Sequence, residues 1–372
     1  MLKVAVIGCG KVADHHASQI RRVRQASLVA FCDAEPLMAK QMADRFGGTA
    51  YDSLDKLLTE VRPDLVHITT PPRSHFPIAM QCLDAGCHVL VEKPFTLNTE
   101  EAERVLQSAT ARDLKVCVNH NYQFTGPALR LRALVADGFL GGPPVHLESY
   151  YSYDLSDPNY ARAFLSDSGH WVRALPGGLL QNIISHGIAR IAEHIRSDRP
   201  HVIAHGFTSP LLLSLGERTL RDELRVLIHD ETTTAYFTFS SQMQPQVFEF
   251  RVFGPKNGIL LDEKHHVLIK LKGARYKSYL DMVMPPLESS GQFFANALAN
   301  FRSLMAGRLN MLEGMKELFE RFYLSVLNDR PVPIPYRQIV LTSRIMDAVF
   351  AQLADDRPDV LPVPVSMSTS AM

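Results

Sequence analysis

The stretch Lys3-Val4-Ala5-Val6-Ile7-Gly8-Cys9-Gly10-Lys11-Val12-Ala13 decides the fold. Lys3 to Gly8 reads as a buried strand, and Gly8-x-Gly10-x-x-Ala13 sits where that strand turns into a segment of helical pattern. Gly8 permits the tight turn, Gly10 lets the backbone approach a pyrophosphate, and Ala13 allows close packing of the helix, whose free N–H groups face the anion. Lys11 and Val12 fill the positions between. Lys11 reads equally as a phosphate contact and as a solvated surface charge. Asp33 follows Gly10 by 23 residues at the end of the second strand-like run. That is the place of an acid that hydrogen-bonds a ribose 2′-hydroxyl and repels a 2′-phosphate. NAD is therefore favoured over NADP, and Ala34 and Glu35 offer no arginine to reverse the preference.

Outward from this motif, Leu28 to Asp33, Asp64 to Thr69, His88 to Val91 and Lys115 to Val118 read as further strands separated by helical stretches. Near-continuous apolar strands alternating with helices predict a parallel sheet covered on both faces. After Tyr122 the pattern changes to alternating runs at Val145 to Asp154, Leu224 to His229, Thr232 to Ser240, Gln246 to Phe253 and Ile259 to Lys272. Helical patterns lie at Pro127 to Asp137, Gln181 to Ile195, Phe293 to Met305, Leu312 to Leu327 and Arg337 to Leu353. The expected architecture is an α/β Rossmann domain over 1–122, then an α+β domain with a large, mostly antiparallel open sheet over 123–330. A closing helix over 331–356 and a frayed tail over 357–372 complete it.

The 372 residues carry 39 Lys plus Arg and 39 Asp plus Glu, so no basic surface for nucleic acid is expected. No apolar run reaches membrane-spanning length. The five cysteines (Cys9, Cys32, Cys82, Cys87, Cys117) show no disulfide or zinc spacing. A cytoplasmic protein with no metal is expected.

Thr69-Thr70-Pro71-Pro72, then His75, then Ala85-Gly86-Cys87-His88-Val89 and Glu92-Lys93-Pro94 follow in order, with Asn119-His120-Asn121-Tyr122 beyond them. In these motifs the chain resembles the glucose-fructose oxidoreductase, inositol dehydrogenase and rhizopine-catabolism (Gfo/Idh/MocA) family. The likeness extends through Gly177-Gly178 and His186 to the closing helices. It implies a sheet domain whose face forms the substrate cleft, and a homodimer or homotetramer joined through the outer face of that sheet. It also implies an oxidoreductase moving a hydride between NAD and a secondary alcohol of a sugar, cyclitol or nucleotide sugar. Lys93 resembles the family's lysine beside nicotinamide and substrate, and His186 its catalytic histidine. Thr70, Pro71, His75, Glu92 and Asn121 fall at cofactor-lining positions.

Asn182 stands where family members commonly carry Asp. It lies four residues before His186, on one face of the expected helix. An amide orients without adding charge, so Asn182 reads either as a partner of His186 or as a plain buried amide. His120, Tyr122, Arg162 and Trp171 are each read as substrate contacts or as structural residues. Two further readings stay open: a glycosidase that oxidises its sugar transiently and restores the cofactor, and a sugar or NAD sensor that has lost catalysis.

Overall fold

The computed structural model describes residues 1–155, 167, 169–307 and 312–355. Arg162 and the expected tail lie outside the described residues.

The first sheet has six strands: β1 (Leu2–Ile7), β2 (Ala26–Cys32), β3 (Thr49–Tyr51), β4 (Leu65–Ile68), β5 (His88–Val91) and β6 (Val116–Val118). All pair in parallel, in the order β3-β2-β1-β4-β5-β6. The order reverses direction between β1 and β4. A crevice therefore opens at the carboxyl ends of these two strands, where doubly wound sheets take their ligands. Helices α1 (Lys11–Ile20), α2 (Pro36–Phe46), α3 (Leu54–Glu60), α4 (His75–Asp84) and α5 (Thr99–Ala111) form the crossovers. The expected strands are present with ends shifted by up to two residues. The short edge strand β3 was not foreseen, because its three residues are only partly covered and carry no run of apolar side chains.

The second sheet has seven strands in the order β13-β12-β11-β7-β10-β9-β8. In chain order they are β7 (His146–Ser152), β8 (His201–Phe207), β9 (Glu223–His229), β10 (Thr234–Ser240), β11 (Phe248–Phe253), β12 (Asn257–Asp262) and β13 (Val267–Lys272). Every pairing is antiparallel except β7 with β10. The long run Ile259 to Lys272 is a hairpin rather than one strand, turning through His266 at φ 53°. Strand β8 was missed because it is an edge strand whose outward positions are His201, Ile203 and His205.

Helices α6 (Gly126–Ala136), α7 (Gly178–Ile183), α8 (Ser185–Ala192), α9 (Pro210–Ser214), α10 (Leu280–Met305), α11 (Glu313–Leu327) and α12 (Tyr336–Asp355) complete the described elements. One face of the second sheet buries Leu147, Phe237, Phe239, Phe250 and Val252 against α8 and α12. Its opposite face carries charge pairs, Arg251 with Glu148 and Glu249 among them. Helix α11 follows the second sheet in the chain but buries Leu318, Phe319, Phe322 and Tyr323 in the core of the first.

Helix α10 closes the free edge of β13. Gln292 and Asn296 present their side-chain amides to the unpaired backbone of the strand. Asn296 Oδ1 accepts from Leu268 N–H at 3.2 Å and its Nδ2 donates to Leu268 O at 3.0 Å. Gln292 does the same for Lys270, at 2.8 and 3.2 Å, and Asn300 Nδ2 donates to His265 O at 2.7 Å. Three amides four residues apart thus stand in for a missing strand and blunt an edge that would otherwise recruit another chain.

Candidate active site

Two loops meet at the crevice. Gly8 ends β1 with φ +90°, and a Cβ there would lie 2.6 Å from Thr70 Cγ2 and 2.7 Å from Thr70 N. Only glycine lets the loop after β1 touch the loop after β4. Gly10, by contrast, is exposed, and a Cβ there would meet nothing within 4 Å. Its constraint is therefore not packing within the chain, and a pyrophosphate lying against the N-terminus of α1 fits that position. Ala13 is fully buried against the sheet, while Lys11 and Val12 are exposed.

Asp33 braces this loop from the next strand. Its Oδ2 accepts from Cys9 N–H at 2.6 Å and its Oδ1 from Glu35 N–H at 2.8 Å. Each carboxylate oxygen keeps a lone pair for a ribose hydroxyl. Thr70 Oγ1 accepts from Ser74 Oγ at 2.8 Å, and Pro71 stays exposed. His75, 1% exposed, pins this loop to the one after β5: its Nε2 lies 2.8 Å from Thr70 O and its Nδ1 2.9 Å from Pro94 O. Burial lowers its pKa against the pull of those two carbonyls.

Glu92 ends β5 inside a buried polar chain. His16 Nε2 is 2.7 Å from Glu92 Oε1, His16 Nδ1 is 2.8 Å from His67 Nδ1, and His67 Nε2 is 2.8 Å from the Tyr323 hydroxyl. His16, His67 and Tyr323 are fully buried. The carboxylate only accepts, so His16 donates from Nε2–H. The directions of the His16–His67 and His67–Tyr323 bonds follow the protonation of the two rings. Burial drives the His67 pKa well below its ordinary value, consistent with a neutral ring. Asn119 Nδ2 also donates to Glu92 Oε1, and Lys93 N–H donates to Oε2 at 3.1 Å. Burial alone would raise the Glu92 pKa, but the hydrogen bond and charge of His16, with Lys93 and Asn119, hold it at about 2. No local pattern marks His16, because its partners lie 51 and 76 positions away in the chain.

Lys93 Nζ donates to the backbone carbonyl of Asn182 at 3.0 Å. The amide side chain of Asn182 does not make this contact, so the Asn-for-Asp difference leaves it intact. The expected helix Gln181 to Ile195 is present as two short helices, α7 and α8, joined at Ile184, which keeps a helical conformation at φ −76° and ψ −15°. Gln181, not foreseen as a site residue, ties α7 to the Lys93 loop: its Nε2 donates to Leu97 O at 2.9 Å, and its Oε1 accepts from Gly177 N–H at 2.9 Å. Gly177 itself is dictated by packing, since a Cβ there would strike the Phe350 ring at 2.4 Å.

His186 heads α8. The rings of Tyr122 and His120 meet it edge-on, with centroids 4.8 and 5.5 Å away. His186 Nδ1 and His120 Nδ1 are both buried without a hydrogen-bond partner among the described residues. Burial, with Lys93, His120 and Arg190 adding cationic repulsion, drives the His186 pKa well below its ordinary value. Burial likewise pushes His120 down to about 3, and burial raises Tyr122 to about 12. Desolvation also lowers Lys93, with Glu92 opposing. Beneath the rings, Arg190 Nη2 donates to Tyr122 O at 2.5 Å and pairs with buried Glu263. Asn121 is buried in the single helical turn that carries Tyr122.

The structure thus brings together Lys93, His120, Tyr122, His186 and the Asn182 carbonyl, at the end of the sheet that holds the Gly8 loop. Trp171 packs on His170 instead, 36% exposed. Among the described residues no group of three His, Cys, Asp or Glu side chains could hold a metal ion, and no helix is long and apolar enough to cross a membrane.

Comparison with known proteins bears on the fold. The model of the Gfo/Idh/MocA oxidoreductase family, NAD-binding Rossmann fold, matches residues 2–120. The D-glucoside 3-dehydrogenase of Escherichia coli is 34% identical over 142 residues, 38% of this chain and 40% of that protein. The UDP-N-acetylglucosamine 3-dehydrogenase of Acidithiobacillus ferrooxidans is 36% identical over 148 residues, 40% of this chain and 44% of that protein. The chain therefore spans less than half the length of these two relatives. Among solved structures, an NAD binding oxidoreductase from Klebsiella pneumoniae superposes with a TM-score of 0.75 at 20% identity, over 96% of this chain and 97% of that one. The WlbA dehydrogenase of Bordetella pertussis, in complex with NADH and UDP-GlcNAcA, gives 0.72 at 16% identity, over 95% and 96%. Both likenesses show a shared two-domain fold. What the comparisons establish for this chain is that residues 2–120 match the NAD-binding Rossmann fold of the Gfo/Idh/MocA oxidoreductase family.

Proposed function

We propose that the protein is an NAD-dependent oxidoreductase acting on a secondary alcohol of a sugar, cyclitol or nucleotide sugar. The observation that carries this reading is the meeting of Lys93, His120 and a low-pKa His186 at the carboxyl end of the first sheet, beside a loop whose Gly10 packs against nothing in the chain. The names of the relatives point to the 3-hydroxyl of a hexose or hexosamine ring.

Bound NAD supplies the site of hydride transfer. Gly8 to Ala13 and the N-terminus of α1 hold its pyrophosphate, Asp33 takes the ribose hydroxyl, and Thr70, Pro71, His75, Glu92 and Asn121 shape the crevice toward the nicotinamide. Lys93, steadied by the Asn182 carbonyl, polarises the reacting hydroxyl. The imidazole of His186, neutral at pH 7, takes that hydroxyl's proton. Asn182 acts through its backbone rather than its amide, and His120 and Tyr122 set the ring of His186. All five cysteines are free and buried, which suits a reducing, cytoplasmic setting.

Fluorescence titration of cofactor-stripped protein with NADH and NADPH tests the cofactor, with selective NADH binding expected. NAD reduction across a panel of glucosides, inositols and UDP-sugars then tests the reaction. Failure to bind either cofactor, or cleavage of an aryl glycoside with no net NADH, would overturn the dehydrogenase reading.

A further inference from the structure

Helix α10 turns its polar stripe to β13 and an apolar row to solvent. The row reads Leu280, Met284, Leu287, Gly291, Phe294, Leu298, Phe301, Met305, a strict alternation of four- and three-residue steps along the whole helix. At about 100° per residue it centres opposite Asn296, the one fully seated side chain of α10. Phe294 and Met305 are each 73% exposed, Leu287 60% and Phe301 58%. Val283, Phe293 and Leu304 widen the surface on one side. With a large aromatic side chain covering roughly 150–250 Å², these fractions expose on the order of 1,000 Å² of apolar surface. That exceeds the few hundred Å² usual for a monomer and matches the roughly 800 Å² per partner of a stable interface.

The spacing also identifies what covers it. Apolar residues at four-three steps over more than three heptads form a coiled-coil seam, which packs on another helix. The row is its own mirror under reversal. Turning the helix end for end about the midpoint of its 26 residues places Leu280 on Met305, Met284 on Phe301, Leu287 on Leu298 and Gly291 on Phe294. Each position meets an apolar residue, and the bulky Phe294 meets the position without a side chain, once on each side of the axis. Self-complementarity under a twofold is the requirement of an isologous dimer, in which one patch serves both subunits. An unrelated partner places no such demand on the sequence.

We infer that α10 is a homodimer interface: two copies of the chain join through an antiparallel, two-stranded coiled coil along the Leu280–Met305 row. The contact lies at the β13 edge, apart from the outer sheet face with its charge pairs. It stands independently of the reaction catalysed.

Sedimentation equilibrium of the full chain should give at least twice the 41.6 kDa chain mass. A Phe294→Asp, Leu298→Glu variant should halve that mass while keeping the wild-type thermal unfolding profile, because both side chains are exposed. Orientation is read by cross-linking. Leu280→Cys combined with Met305→Cys should give a disulfide-linked dimer, and either change alone should not. The five native cysteines are buried and do not compete. A monomeric wild type overturns the inference, as does a double-charge variant whose mass equals that of the wild type. A Leu280→Cys self-cross-link, which demands a parallel pair, overturns it too. A monomer whose α10 becomes protease-sensitive once residues 357–372 are removed would assign the row to the chain's own end.

Discussion

Replacing Glu92 by Gln tests the buried polar chain most sharply. The carboxylate accepts from His16, Asn119 and Lys93 N–H. An amide keeps one acceptor oxygen and turns a donor toward one of those donors. Holding the carboxyl at about 2, against its reference of 4.5, makes ionised Glu92 favour the fold by about 3 kcal/mol at neutral pH, at 1.36 kcal/mol per unit. The folded pKa is the depressed one, so this contribution is whole above the unfolded value and is lost as pH falls through 4.5 toward 2. Glu92→Gln should therefore lower unfolding free energy by about 3 kcal/mol near pH 7 and by roughly half that near pH 3. Urea unfolding of both proteins, followed by circular dichroism at each pH, reads the difference directly. A loss below about 1 kcal/mol, or one that does not shrink with acid, would refute the account of Glu92 as an ionised hub.

Other expectations follow from the same geometry. Gly8→Ala combines a left-handed backbone with a clash against Thr70 and should cost about 2–4 kcal/mol in thermal unfolding, with loss of NADH binding; a neutral outcome would mean that the two loops are not in contact. Because the pKa of His186 is pushed down, its neutral form persists into acid, so kcat/KM should stay level below pH 6.5 before falling. A fall centred on the ordinary histidine value would contradict that. Asn182→Ala should leave kcat/KM within about threefold, since Lys93 bonds the carbonyl; a hundredfold loss would restore the amide to the mechanism.

The first sheet was legible because its strands are short apolar runs, and the glycines and Asp33 are set by backbone geometry that few residues satisfy. Lys93 and His186 were legible as motif residues. The partners that define their chemistry were not. The Lys93 contact is to a carbonyl, which no side-chain pattern encodes, and the His67–Tyr323 bond joins residues 256 positions apart. Helix α10 was read from Phe293 only, because Pro285-Pro286 suggests a break, yet the helix runs through both prolines from Leu280.

The return of α11 to the first core bears on how such a protein is inherited. The family match ends at residue 120, yet Phe319, Phe322 and Tyr323 are fully buried against that same unit, and Tyr323 supplies the end of the chain that orients Glu92. A cofactor domain cut at the end of the match would expose these aromatics' pocket and leave His67 without its hydroxyl. This domain is not one contiguous cassette; a recombinant that keeps its core must carry two distant stretches of the gene together, the second of them encoded after the whole second sheet.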